Sequence, residues 1–203
     1  MKLLTQLPKY VYNIKGFLMT DCSDSVLWKG LKRGDRSAYA MLYQRYVGLL
    51  YNYASRICKD RDRIEDCIQD VFVALWKYRK NLAVTTSVKY YLYRALRSRI
   101  FKTAGGSEWT LQDGVRWDDM ENLIDLSPED ELVTLESGDE RTRKLKKYLH
   151  NLSPRQYEAI MLRFYDEFSY DEIAEIMGAN PQSVRNLVAR GLLQLRQYAQ
   201  FLA

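Results

Sequence analysis

Residues 168–197, FSYDEIAEIMGANPQSVRNLVARGLLQLRQ, decide how the chain is read. Ser169 stands three positions before Glu172, a capping-box spacing that opens a short helix. Ile173, Ala174, Ile176 and Met177 supply the buried face of that helix. Gly178 tolerates the positive φ of a tight interhelical turn, and Pro181 suits the first turn of the next helix. In that second helix Val184, Leu187, Val188, Leu192 and Leu195 are expected to face inward. A small residue at Ala174, a glycine at Gly178 and a valine at Val184 have the spacing of a DNA-binding helix-turn-helix. On the outer face Gln182, Ser183, Arg185 and Asn186 carry the groups that read base edges, with Arg190 nearer a phosphate. A plain helical hairpin with a solvated polar face is the other reading of this spacing.

Upstream, Asp24 to Phe101 is helical in pattern almost throughout, without proline and without strand alternation. Tyr39, Leu42, Tyr43, Tyr46, Leu49, Leu50 and Tyr53 recur at three- and four-residue steps, which predicts a long core-facing helix. After the charged KDRDR, a second helix over about residues 64–80 aligns Cys67, Ile68, Val71, Phe72, Leu75 and Trp76. The polar stretch at 81–87 interrupts, and VKYYLYRALRSRIFK forms a third helix. There Lys89, Arg94, Arg97, Arg99 and Lys102 alternate with Tyr90, Tyr91 and Tyr93. Aromatic faces beside cations suit unstacked bases and their phosphates, although tyrosines at this spacing also build cores.

Charge divides the chain unevenly. Residues 1–19 carry +3, 20–103 carry +9, 104–140 carry −11 and 141–203 carry +4, for a net charge of +5. Two basic blocks flanking an acidic one are the plan of two nucleic-acid-facing domains joined by a tether that stays off the phosphate backbone. The expected fold class is all-α, with two small helical domains. The expected boundaries are an N-terminal extension at 1–23, a first domain at 24–102, an acidic linker at 103–127 and a second domain at 128–203. Met19 offers an alternative start of translation.

Cys22, Cys58 and Cys67 lack CxxC spacing, and His150 is the single histidine, so neither a disulfide framework nor a His/Cys zinc cluster is expected. Gln6, Pro8, Lys9, Asn13 and Lys15 break any apolar N-terminal core, making the start a poor signal peptide. No run reaches the roughly 20 apolar residues of a membrane span. A cytoplasmic chain with no cofactor and no membrane insertion is the expectation.

The segments DCIQDVFVALWKY (66–78) and YYLYRALRSR (90–99) resemble region 2 of bacterial sigma factors, and residues 152–196 resemble region 4. Their order, the linker between them and the lack of room for further domains resemble the extracytoplasmic-function (ECF) type. This resemblance implies that Asp66, Gln69 and Asp70 dock on the clamp helices of core RNA polymerase, while Phe72 and Trp76 support the fold. It implies that the loop at 81–87, through Asn81, Thr85, Thr86 and Ser87, captures a base flipped from the −10 element. Lys89, Tyr90, Tyr91, Arg94 and Arg97 would line the melted strand, and Gln182, Ser183, Arg185, Asn186 and Arg190 would read duplex −35 DNA. Tyr91 stands where a tryptophan is commoner in the family. The resemblance also implies an anti-sigma partner and no catalytic residue. A free-standing helix-turn-helix regulator is the nearest alternative. A metal-dependent enzyme using Asp118, Asp119 and Glu121 is disfavoured, because those acids fall in the expected linker.

Overall fold

The computed structural model describes residues 22–102 apart from 84 and 86, together with 148, 149 and 151–200, with side chains to 197. The expected N-terminal extension up to residue 21, the linker at 103–127 and residues 128–147 of the expected second domain lie outside the described residues, as does His150. So do Trp109, Trp117 and the acids Asp118, Asp119 and Glu121.

The first module contains α1 (Asp24–Arg33), α2 (Arg36–Ala54), α3 (Arg61–Lys77), a 3-10 turn (Arg79–Asn81) and α4 (Val88–Lys102). Helix α1 ends at Gly34 in the left-handed conformation at φ 88°, after which Asp35 caps α2 by accepting from the Ser37 and Ala38 amides. The reversal brings Gly30 onto Ala38, where a Cβ on residue 30 would lie 2.7 Å from the Ala38 Cβ. Asp60 caps α3 through the Arg63 amide at 3.1 Å. Leu42, Leu50, Phe72, Leu75, Leu92 and Leu96 fill the centre. The expected stripe on α2 is buried at Tyr39, Leu42, Tyr46, Leu50 and Tyr53, but Leu49 lies at its edge and is exposed.

The second module contains α5 (Pro154–Phe164), α6 (Tyr170–Met177) and α7 (Pro181–Gln200). Capping boxes open α5, between Ser153 and Gln156, and α6, between Ser169 and Glu172. Gly178 closes α6 at φ 62°. Val184 and Val188 are buried as the pattern predicts, whereas Leu192 is exposed and does not face inward. The helix presents Gly191 there instead, and the Ile160 side chain of α5 fills the space its missing side chain leaves, 2.6 Å from an ideal Cβ position. Close approach of α5 therefore fixes the rotation of α7 and turns Leu192 outward.

The two modules pack together. Ala159, Leu162, Phe168 and Ile173 join the same buried cluster as Tyr53, Leu92 and Tyr93, and α4 lies against α6. Among the described residues there is no strand, no helix long and apolar enough to cross a membrane, and no cluster of three potential metal-ligating side chains. Among the described residues there is no disulfide: Cys67 is buried, Cys58 half-buried and Cys22 exposed.

Candidate nucleic-acid interface

The loop before α4 is held by local hydrogen bonds. The Trp28 indole donates to the Ala83 carbonyl at 3.2 Å, and the Thr85 hydroxyl donates to the Ser87 carbonyl at 2.9 Å. The Ser87 hydroxyl accepts from the Tyr90 amide at 3.1 Å, satisfying one of the amides that the start of α4 leaves unpaired. Asn81 is exposed and Ser87 half-buried, and Thr86 lies outside the described residues. Behind the loop the Tyr91 ring meets Trp28 edge to face at 5.1 Å, and burial pushes its phenol up to about 12, against the lowering influence of Arg94.

The other groups on α4 meet the second module. The Tyr90 hydroxyl donates to the Glu175 carboxylate of α6, and Arg94 reaches the same carboxylate at 3.5 Å. Lys89 donates to the Asp166 carbonyl. Arg97 is 4% exposed and forms a two-point ion pair with Glu158 of α5, Nε to Oε1 at 2.7 Å and Nη2 to Oε2 at 3.2 Å. The Tyr53 hydroxyl donates to Glu158 at 2.8 Å. Burial opposes the charge on Arg97 most, but the Glu158 carboxylate and the Tyr53 phenol together outweigh it and hold the guanidinium above its ordinary value. Alongside, Arg56 pairs with Asp166 at 2.9 Å, and the Tyr93 hydroxyl donates to the other oxygen of that carboxylate at 2.8 Å.

Arg56, Glu158 and Asp166 were not singled out by the sequence reading. The available signal was a charge set among apolar neighbours: Glu158 follows Tyr157 and precedes Ala159 and Ile160, all of which are buried.

The outer face of α3 exposes Asp66 and Gln69, while Asp70 is half-buried and pairs with Arg99 of α4. On α7 the Asn180 side chain accepts from the Ser183 amide at 2.7 Å and caps the helix. Gln182, Arg185, Asn186 and Arg190 are exposed on the face opposite Val184 and Val188, and Ser183 is half-buried. Gln182 donates to Asn186 at 3.1 Å, and the Arg185 guanidinium lies 5.6 Å from the centre of the Tyr170 ring.

The family described as Sigma-70 region 2 matches residues 42–105, and Sigma-70, region 4 matches residues 142–195. The chain is 28% identical over 180 residues to the ECF RNA polymerase sigma-E factor of Haemophilus influenzae, covering 83% of this chain and 90% of that one. It is 25% identical over 183 residues to the ECF RNA polymerase sigma factor SigW of Bacillus subtilis, covering 83% and 92%. The chain belongs to the ECF sigma factors of the sigma-70 family. This sigma factor shares its fold with RpoE of Bartonella quintana, solved with the anti-sigma factor NepR, at a TM-score of 0.56 and 22% identity over 79% of this chain and 96% of that one. CnrH, solved with the cytosolic domain of CnrY, gives a TM-score of 0.57 at 17% identity over 89% and 99%. The sigma factor is thus all-α, with the region 2 match running from within α2 through α4 and the region 4 match spanning α5, α6 and most of α7. Its family supplies DNA-binding transcription initiation factors, which are regulatory proteins and not enzymes.

Proposed function

We propose that this sigma factor binds core RNA polymerase in the cytoplasm and directs it to particular promoters, reading duplex DNA at −35 and a melted strand at −10. The working division is a region 2 module at 24–102, an acidic tether at 103–127 and a region 4 module at 128–203, preceded by an extension at 1–23. The observation that carries this reading is the outer face of α7, where Gln182, Arg185 and Asn186 stand exposed above a buried Val184 and Val188. Those side chains have the donor and acceptor groups that major-groove readout needs, and Ser183 joins them, with Arg190 nearer a phosphate.

Region 2 supplies the second contact. Tyr90, Tyr91 and Arg94, with Lys89 and Arg97 beside them, offer stacking faces and cations to an unpaired strand. Capture of a flipped base by the loop of Asn81, Thr85, Thr86 and Ser87 offsets the few kcal/mol that unpairing costs. Asp66, Gln69 and Asp70 on α3 dock the polymerase, which places both DNA-reading surfaces on one platform and raises the effective affinity of each. The protein performs no bond chemistry and needs no cofactor. The NepR complex of the Bartonella relative supports an anti-sigma partner for this chain as well.

The test is in vitro transcription from genomic fragments with core polymerase, with and without the protein. Initiation at a discrete set of promoters only in its presence is the expected result. No start sites, together with specific duplex binding by the protein alone, would overturn the reading in favour of a free-standing regulator.

A further inference from the structure

Five arginines of the first module, Arg45, Arg56, Arg94, Arg97 and Arg99, each pair with a carboxylate. Arg163 and Arg185 of the second module differ. Among the described residues no carboxylate pairs with either, and both guanidinium groups lie over one aromatic ring. Arg163 stands 5.0 Å and Arg185 5.6 Å from the centre of Tyr170. The electron-rich face of the ring attracts each cation, while the two cations repel one another. Such an arrangement gains most when an anion lies beside it, and the phosphate backbone of duplex DNA is one.

Tyr170 is firmly built in. It is the first residue of α6, whose opening turn is closed by the capping box of Ser169 and Glu172. Its half-buried ring packs against the hydrophobic cluster beneath. Arg163 is fixed as well, since its Nη1 donates to the Phe168 carbonyl at 2.9 Å. Arg185 is the member that stays exposed, on the outer face of α7. Beside it Gln182 and Asn186 are hydrogen-bonded to each other at 3.1 Å, whereas no described residue accepts a hydrogen bond from Arg185. Contact with a ring occupies the face of a guanidinium and leaves its N–H edge to donate, which a lysine ammonium cannot reproduce.

We infer that Tyr170 is a positioning residue for −35 recognition: its ring holds the Arg185 side chain in the pose that reads a guanine in the major groove. Guanine presents two acceptors, O6 and N7, to a planar fork of donors, and no other base offers that pair there. An arginine free in solvent loses rotamer entropy when it binds, and a ring that has already restricted it removes part of that cost. In this role Tyr170 acts through Arg185, so its loss lowers discrimination at one base pair and not affinity for DNA at large. The inference rests on the assignment of α7 to the −35 duplex, whereas the stack itself does not.

The experiment uses holoenzyme assembled from core polymerase and the full chain, on a promoter from which it initiates, with each base pair of the −35 element replaced in turn. Competition binding compares the unaltered chain with Tyr170→Leu, Tyr170→Phe, Arg185→Ala and the Tyr170→Leu/Arg185→Ala double variant, and circular dichroism reads their folding. Arg185→Ala is expected to abolish the preference for a G·C pair at one position. Tyr170→Leu is expected to reduce that same preference about fivefold and to leave the other positions unchanged. Tyr170→Phe, which keeps the ring, should stay within about twofold of the unaltered chain. In the Arg185→Ala background Tyr170→Leu is expected to have no further effect. A loss spread equally over all positions, or an undiminished effect of Tyr170→Leu in that background, would overturn the positioning role. A preference of Arg185 for any other base pair would overturn the reading of guanine. Unaltered −35 preferences in the Arg185→Ala holoenzyme would place the failure in the assignment of α7 and not in the stack. The stack is read separately by NMR of the free chain, where the Arg185 Nε–H resonance, identified by its absence in Arg185→Lys, is expected to be shifted upfield by the ring. An unshifted resonance would overturn the contact without requiring any Tyr170 variant to fold.

Discussion

Gly30 shows how one residue can be fixed by its neighbour against its own propensity. In mid-helix, alanine is favoured over glycine by roughly 1 kcal/mol, so Gly30→Ala would stabilise an isolated α1. In the folded chain the new methyl would sit 2.7 Å from the Ala38 Cβ, an atom with no rotamer by which to move away. Gly30→Ala is therefore expected to destabilise the protein by about 1–3 kcal/mol net, measured by denaturant unfolding. Asp70 presents the opposite case, since its partner Arg99 is itself partly exposed. Pairs of this kind contribute about 0–1 kcal/mol, so Asp70→Ala should leave stability nearly unchanged. It should weaken association with core polymerase by about tenfold or more, as truncation of a contact at the centre of an interface does. Full core binding by the folded variant, read by surface plasmon resonance, would remove Asp70 from the docking set. Arg185→Ala leaves the cap and core of α7 untouched, because among the described residues its exposed guanidinium meets the Tyr170 ring. Loss of −35 specificity without loss of stability is the expected outcome, about 1–3 kcal/mol of discrimination in competition binding against altered −35 sequences.

Among the elements, the helices whose ends carry explicit chemistry were the ones most legible in the sequence. Ser169 with Glu172, three residues apart, is a local signal and forms the box its spacing predicts, and Ser153 with Gln156 forms another at the same spacing. Ser169→Ala should cost about 1 kcal/mol and lower the thermal midpoint, while Ser169→Asp, which can still cap, should restore most of the loss. The stripes on α2 and α7 were legible in outline but not at their edges. Periodicity placed Leu49 and Leu192 inside, yet a helix can rotate to bring a small residue such as Gly191 against its neighbour, and that rotation depends on the opposing side chain. The candidate site divides along the same line. The exposed face of α7 could be read from spacing alone, because its orientation follows from Val184 and Val188 beneath it. Burial of Arg97 could not, because its partner Glu158 lies 61 positions away, on a different module. A basic residue on a mixed helix looks the same in sequence whether it meets solvent, a phosphate or a carboxylate.

At the scale of the whole molecule, two phenols join the modules and make their stability sensitive to alkaline pH. Tyr53 on α2 faces Glu158 and Asp166 from the second module and Arg97 from α4, while Tyr93 faces Asp166, Arg56 and Tyr165. Burial first, and the adjoining carboxylates second, raise both phenols well above their usual value of 10.0, and the arginines offset only part of that. A group whose pKa is raised on folding contributes stability that is complete below its unfolded pKa and is lost as pH rises beyond it. Their contribution should therefore hold from neutral pH to about pH 9 and fall above about pH 10, where the unfolded phenols release protons that the folded ones retain. Tyr90 follows the same course, raised to about 12 by burial and by its hydrogen bond to Glu175. Lysines titrate in the same range, so the informative comparison is with Tyr93→Phe, which removes one ionisable phenol and leaves every lysine in place. At neutral pH that variant should be less stable by about 1–3 kcal/mol, because the buried Asp166 carboxylate loses a donor. Between about pH 9 and pH 11 its stability should fall less steeply than that of the unaltered chain, since one proton release is gone from the unfolded state. Urea unfolding of both proteins at three pH values measures the two slopes, and parallel slopes would mean that Tyr93 keeps an ordinary pKa and that its bond to Asp166 is not maintained in solution.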